Sequence, residues 1–230
     1  MLACFSGHGE YARCVISVSN SQDAFDLMPV AFNIAEEFQI SVVVLTDKQI
    51  AEALYTQAPY DQRKAQIKRG SRLVTSAGKL AKLKSEDRYD PTVKDGVALR
   101  WLPGAKAATY CGQGDEHDAS GTVDETAENA DLQMEKRMRK QDALLKSLPE
   151  PDLYGSKDPD TLLVGWGSTK GPMLDVLKES LLQRKRVGYL HYSYLWPVRT
   201  KKFEKLAKRA KRIIAVEGNY QGQLAMLLEQ

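Results

Sequence analysis

The apolar run Leu162-Leu163-Val164 breaks into the glycine-rich turn Gly165-Trp166-Gly167-Ser168-Thr169-Lys170-Gly171, and Pro172-Met173-Leu174-Asp175-Val176-Leu177 then opens a helical pattern. A strand feeding directly into a helix commits its surroundings to layered packing. Glycine is needed where the backbone takes positive φ or passes close to a neighbour. Pro172 suits a first helical turn, where its missing N–H has no partner to lose. The unit recurs twice. Val187-Gly188-Tyr189-Leu190-His191 is a second strand, closed by Leu195-Trp196-Pro197, and Lys211-Arg212-Ile213-Ile214-Ala215-Val216-Glu217 is a third, closed by Gly218-Asn219-Tyr220-Gln221-Gly222-Gln223-Leu224. Strands alternating with helices predict an α/β fold with a parallel sheet covered on both faces. Residues 162–165, 187–191 and 212–216 are expected as neighbouring parallel strands.

The first part of the chain reads the same way. Cys14-Val15-Ile16-Ser17-Val18-Ser19 predicts a strand, and Asn20-Ser21-Gln22-Asp23 offers helix caps. The next helix carries Phe25, Met28, Phe32 and Ala35 on one face and Leu27, Ile34 and Phe38 on its flank. Pro29 predicts a kink or a late start. Ile40-Ser41-Val42-Val43-Val44-Leu45-Thr46 fits a strand buried on both faces, with Asp47 capping a helix through Ile50, Ala53 and Leu54. Two strands are too few for an independent sheet. The rest are expected from another chain, or from an incomplete reading frame.

Residues 59–91 lose the pattern and form a basic surface excursion, expected to hold one short helix. Its lack of interleaved aromatics argues against nucleic acid. A long helix is predicted over 126–148, with Ala130, Met134, Met138, Leu145 and Leu148 inward and Lys136, Arg137, Arg139 and Lys140 outside. Pro149-Glu150-Pro151-Asp152 reads as an interdomain linker, dividing the chain into domains 1–150 and 151–230.

The 230 residues are 43% hydrophobic and 27% charged, as in a soluble globular chain. No apolar run is long enough to span a bilayer, and the start lacks the basic and apolar regions of a signal peptide. Cys4, Cys14 and Cys111 show no paired spacing, which points to a reducing compartment, by default the cytoplasm, and away from an iron–sulfur or zinc site in this chain. From residue 155 onward 14 basic residues face 7 acidic ones. That excess suits an acidic partner or a phosphate-bearing ligand, but most of it lies on the solvated face of a helix whose inner stripe is Phe203, Leu206 and Ala210.

Two clusters carry chemistry. In Gly114-Asp115-Glu116-His117-Asp118, the residues Glu116, His117 and Asp118 are candidates for moving protons or binding a metal, or for pinning a loop through side-chain-to-backbone bonds. One histidine with no second at ligand spacing points away from a metal. The turn with Gly165, Gly167 and Ser168 is a candidate phosphate or cofactor cradle at a helix N-terminus. It matches neither dinucleotide nor Walker spacing, so a tight turn for packing is the stronger reading.

In combination these motifs are more specific. Gly7-His8-Gly9-Glu10, Ala31-Phe32-Asn33-Ile34-Ala35-Glu36, Gly114-Asp115-Glu116-His117-Asp118, Met134-Glu135-Lys136-Arg137-Met138-Arg139-Lys140, Leu163-Val164-Gly165-Trp166-Gly167-Ser168, Leu190-His191 with Leu195-Trp196-Pro197, and Val216-Glu217-Gly218-Asn219 with Gly222-Gln223-Leu224 occur in this order. So arranged, the chain resembles the alpha subunit of 2-oxoacid:ferredoxin oxidoreductases, the pyruvate/2-oxoglutarate synthase family. The resemblance implies a partial pyrimidine-binding domain for thiamine diphosphate, followed by a three-layer domain like the transketolase C-terminal domain. It implies thiamine diphosphate with Mg shared with a beta subunit, and iron–sulfur clusters on other domains or subunits. The partners it implies are ferredoxin, a 2-oxoacid such as pyruvate or 2-oxoglutarate, and CoA, in a cytoplasmic hetero-oligomer. The family's substrate motif and activating glutamate have no counterpart before Met1, and the chain stops inside a helix. No catalytic residue carries over, and a chain short at both ends is expected to be inactive alone. The rival expectations are a non-catalytic assembly module of such a complex and a nucleotide-binding α/β domain.

Overall fold

The computed structural model describes residues 1–106 and 108–229, and among these seven strands form two sheets. In the first sheet, β1 (Arg13–Ser17) runs parallel to β2 (Ser41–Leu45), in register from Arg13 against Ser41 to Ser17 against Leu45. A short α1 (Leu2–Phe5) precedes them and α2 (Ser21–Phe38) connects them. The Asn20 side chain accepts the Asp23 N–H at 2.8 Å, so α2 starts at Ser21 and Pro29 does not delay it. The inward face of α2 is a correction to the sequence reading. Leu27, Ala31, Ile34 and Phe38 pack on the core, while Phe32 is 64% and Met28 42% exposed. The helix has apolar residues on two sides, and only one meets the sheet.

The third strand comes from the same chain. β6 (Tyr194–Trp196) lies antiparallel against β1, with Val15 opposite Trp196 and Ile16 opposite Tyr194, and the Ser17 N–H donates to the Ser193 carbonyl at 2.8 Å.

The second sheet has the order β3 (Asp152–Gly155), β5 (Val187–Tyr192), β4 (Thr161–Trp166), β7 (Arg212–Val216). β4 is central and parallel to both β5 and β7, as the three recurring units require, and only the edge strand β3 is antiparallel. α6 (Lys170–Leu182) joins β4 to β5, α7 (Lys201–Ala207) leads into β7, and α8 (Gln223–Leu228) follows it. The segment before β3 is pinned rather than loose. Glu150 accepts from the Arg199 guanidinium at 2.6 Å and from the Lys202 N–H at 3.2 Å.

Strand alternation distributes the core. Cys14 and Ile16 face α2 and the long helix α5 (Ala127–Ser147), meeting Ala31, Ile34, Leu144 and Leu148. Val15 points the other way, into one cluster with Leu162, Val164, Leu190 and Tyr192 of the second sheet and Leu206, Leu224 and Leu227 of α7 and α8. Leu163 and Tyr189 take the far face, against Leu177 of α6. The two sheets therefore share one apolar interior. Each fully buried side chain of this kind contributes roughly 1.5–3 kcal/mol.

α5 also departs from its periodicity. Its buried residues are Asn129, Gln133, Lys136, Gln141 and Leu144, while Met138 is 38% exposed. Lys136, assigned to the outside from the sequence, is 5% exposed. The polar face turns inward because the excursion after residue 53 folds back over it. After α3 (Lys48–Glu52) the chain is irregular, with one short α-helix, α4 (Ala77–Leu80), and two single 3-10 turns, at Gln62–Lys64 and Ser85–Arg88, where the sequence led to one short helix. The returning chain is tied to α2 by Arg100 on Glu36 and by Ser71 on Glu37, whose bond to the Ser71 N–H is 2.8 Å. Gly96 lies at φ 73°, where a Cβ would sit 2.2 Å from the Lys136 carbonyl oxygen, so no larger residue lets the chain cross α5 here. No helix among the described residues is long and apolar enough to cross a membrane.

Candidate functional site

Three strand-to-helix turns, far apart in sequence, meet at the carboxyl ends of both sheets. Asp47 ends the β2 turn and caps α3, its Oδ1 accepting the Ile50 N–H at 3.0 Å, while its Oδ2 accepts the Ser168 N–H at 3.2 Å. Burial alone would push the Asp47 carboxyl up, but the hydrogen bonds from Ser168 and Ile50 hold it below the usual range. Asp23, in the first turn of α2, pairs with Lys170 of α6 at 3.3 Å. The glycine turn is thus braced from the other sheet, and the Ser168 amide that would meet a phosphate is already bonded to Asp47. Gly167 sits at φ 63°, with room for a Cβ but not the conformation for one.

Beside the starts of α2 and α6 lies a crevice of about 180 Å³, lined by Asp23, Lys170, His191 and Tyr194 among others. The carboxyl ends of parallel strands, where turns of different units diverge, are where open α/β sheets hold ligands. His191 is 1% exposed. Its Nδ1 bonds the Tyr189 hydroxyl at 2.8 Å, and its Nε2 has no protein partner. Burial, with the nearby Lys170 charge, pulls its pKa down to about 4, so the ring is neutral at pH 7. The crevice thus offers a neutral imidazole nitrogen beside an Asp–Lys ion pair.

The acidic loop lies elsewhere, beside α5. Glu116 binds Arg137 through both oxygens, at 3.0 and 2.5 Å, and this hydrogen-bonded pair holds its carboxyl below the usual range. His117 stacks on Tyr89 with ring centroids 4.3 Å apart, and its Nδ1 lies 2.9 Å from the Asp118 carbonyl oxygen. Asp118 accepts from the Ser120 hydroxyl at 2.6 Å and from the Ser120 and Thr122 N–H groups at 2.8 and 3.1 Å. Its carboxylate closes the turn. Glu116, His117 and Asp118 are adjacent in sequence but serve three different partners, and no group of three metal-binding side chains occurs among the described residues.

Behind Glu116 a basic hollow opens between α2, α5 and residues 88–100. Lys136 donates to the Tyr89 carbonyl at 2.7 Å and Lys140 to the Gln39 carbonyl at 3.1 Å. Burial, reinforced by neighbouring cations, lowers Lys136 to about 7 and Lys140 to about 8. Neither this hollow nor the His191 crevice stands out in the sequence. Polar residues on α5 read as a solvated face, and His191 reads as one more strand residue. The only signal for the hollow is a basic run on a helix with few apolar residues to bury.

Two α/β sheets thus bring their strand-to-helix turns together, with a polar crevice beside them. The model of the family described as pyruvate flavodoxin/ferredoxin oxidoreductase, thiamine diphosphate-binding, matches residues 1–140. The chain belongs to that family. It is 32% identical over 233 residues to 2-oxoacid:ferredoxin oxidoreductase 1, subunit alpha, of Aeropyrum pernix, covering 99% of this chain and 35% of that protein. To the 2-oxoglutarate oxidoreductase subunit KorA of Mycobacterium tuberculosis it is 27% identical over 231 residues, 98% of this chain and 33% of that one. Its fold superposes with a TM-score of 0.88 on 2-oxoglutarate:ferredoxin oxidoreductase from Magnetococcus marinus, solved with 2-oxoglutarate, coenzyme A and succinyl-CoA bound, at 25% identity over 99% of this chain and 39% of that one. The chain spans about a third of the length of the Aeropyrum and Mycobacterium relatives.

Proposed function

We propose that this chain forms part of the alpha subunit of a thiamine diphosphate-dependent 2-oxoacid:ferredoxin oxidoreductase, an enzyme that oxidatively decarboxylates a 2-oxoacid to its acyl-CoA. The observation that carries the reading is the whole-chain superposition, TM-score 0.88 over 99% of the chain, on an enzyme of that activity. When bound, thiamine diphosphate supplies the electron sink for decarboxylation, and the protein supplies orientation and electrostatics. The crevice at the strand carboxyl ends, with the unpartnered His191 Nε2, suits the organic half of the cofactor. The diphosphate and its magnesium need clustered oxygen donors. No group of three His, Cys, Asp or Glu side chains placed for a metal ion occurs among the described residues, and our reading gives that half to a beta subunit.

In this reading residues 1–150 face the cofactor and residues 151–230 form the transketolase C-terminal-like unit. Iron–sulfur clusters and ferredoxin docking belong to other domains or chains of a cytoplasmic hetero-oligomer. Glu116, His117 and Asp118 act by shaping the loop against α5, and Gly165, Gly167 and Ser168 by letting the two sheets' turns interlock.

The test is to tag this chain in its own cells and isolate it anaerobically. Thiamine diphosphate, iron and CoA-dependent 2-oxoacid:viologen reduction should co-purify with it. The chain purified alone, supplied with thiamine diphosphate, magnesium and CoA, should give no turnover. Isolation from its cells free of cofactor, iron and activity would refute the assignment.

A further inference from the structure

The basic hollow beside α5 has a one-sided hydrogen-bond inventory. It encloses about 230 Å³, lined by Gln39, Arg88, Gln133, Lys136 and Lys140 among others, and opens beside a second hollow of about 470 Å³ that shares Gln39, Arg88, Arg137 and Lys140. Three acceptors in its wall are already used. Tyr89 O takes Lys136, Gln39 Oε1 takes Arg88 at 2.8 Å, and Ala98 O takes the Gln39 amide at 2.6 Å. The carboxylates at its margin are used too, Glu36 by Arg100 and Glu116 by Arg137. The donors are left over. Arg88 Nε and Gln133 Nε2 are buried without partners, and each lysine ammonium spends one of its three hydrogens on the carbonyl named above.

Charge tells the same story. Among the described residues, Arg88, Lys136 and Lys140 have no carboxylate within ion-pair distance, whereas Arg100 and Arg137 do. Gln133 is 2% and Lys136 5% exposed. Burying a cation without a counter-charge is costly, and an unmet buried donor adds to that cost. A water's share of liquid volume is about 30 Å³, so the cavity has room for a polyatomic ion.

We propose that this hollow is a binding site for a tetrahedral oxyanion of the phosphate or sulfate class, held by Arg88, Gln133, Lys136 and Lys140. Such an ion has only acceptors to offer, and Arg88, Lys136, Lys140 and the Gln133 Nε2 amide have donors to give. The site is independent of the thiamine reading, because it lies away from the His191 crevice and uses none of its residues.

The experiment is calorimetric titration of the full chain with inorganic sulfate, whose charge is constant from pH 6 to 9, with chloride at matched ionic strength as control. Saturable binding is expected, at least tenfold weaker at pH 9 than at pH 6. A bound anion faces Lys136, Arg137 and Lys140 of α5, Arg88 from the returning chain and His117 from the acidic loop; Glu36, Glu116 and Asp95 are already paired to arginines, and Asp90, near Lys136, is bonded by Thr92. The pH dependence is assigned to Lys136 and Lys140, and H117N should leave it in place. K136M/K140M should abolish binding while its circular dichroism and unfolding midpoint show a folded chain. If that variant fails to fold, Gln133→Leu, which removes an uncharged carboxamide and leaves the cations in place, should still weaken binding severalfold. Titration of inorganic phosphate against a phosphomonoester then distinguishes a free ion from an esterified group. No saturable sulfate binding by the folded wild-type chain, or equal binding by K136M/K140M, would overturn the proposal.

Discussion

Gln141 does for Arg13 what a neighbouring strand does elsewhere in the sheet. Its carboxamide accepts the Arg13 N–H at 2.9 Å and donates to the Arg13 carbonyl at 3.2 Å, beyond the end of β6. Gln141→Leu keeps the volume but orphans both buried backbone groups, and should cost about 2–4 kcal/mol in urea unfolding. Lys136 gives a prediction with a sign. Its folded pKa of about 7 lies below its ordinary value of 10.5. Below pH 7 both states are protonated and the folded state bears the full penalty of a buried charge. Above pH 7 the folded state releases the proton while the unfolded chain keeps it, so stability rises with pH. Burial pushes the Cys14 thiol up to about 12, which works in the opposite direction above its ordinary 9.0, so the window to measure is pH 7 to 9. Urea midpoints should climb across that window in the wild type, and the climb should shrink in K136M. A flat wild-type profile would show that Lys136 is not buried as a cation. None of this was legible in the sequence. A glutamine or lysine at a helical spacing looks the same whether it faces water or a loop carbonyl, and the loops that turn Gln141, Lys136 and Gln133 inward have no periodicity of their own.

Elements were easier to read where local chemistry set them. The runs at 14–17, 41–45, 162–166 and 212–216 are β-rich and bounded by caps or glycines, and each is a strand. β3 and β6 escaped because four and three residues carry too little pattern, and because Pro151 before β3 and Pro197 after β6 read as breaks. α8 shows how an element can depend on a residue outside it. Its N-cap is Gly222, which has no side chain to offer, and Glu217 at the end of β7 accepts the Leu224 and Ala225 N–H groups at 2.9 and 3.0 Å instead. The same carboxylate accepts from the Trp166 indole at 3.0 Å and from Asn219 at 2.7 Å. Burial pushes this carboxyl up, but the four hydrogen bonds outweigh it and hold the pKa below the ordinary 4.5. A lowered carboxylate pKa means a contribution present above the ordinary value and lost as pH falls through the folded one. Glu217→Ala should therefore destabilise the chain by about 1–3 kcal/mol at pH 7, with a smaller difference from wild type at pH 3. Equal unfolding midpoints at pH 7 would remove Glu217 from the account of α8.

At the scale of the molecule, Val15 of the first sheet and Leu162, Val164 and Leu190 of the second lie in one cluster, so the two sheets hold each other in place. Chain cleavage should not separate them. Residues 54–60 carry no regular structure, and Leu54 is fully exposed, so protease should nick there first. The two fragments should still co-elute in size-exclusion chromatography, and early release of either would mean that the shared core is weak. The pairing of β6 with β1 also imposes an order on the protein's manufacture. β6 follows β1 in the chain only after the whole stretch from Ser17 to Tyr194 has been made. At about 5–20 residues per second, that side of β1 stays open for on the order of ten seconds. Throughout that time it offers Cys14, Val15 and Ile16 to any passing strand. Synthesis that stalls before β6 is made therefore leaves that edge of β1 unpaired.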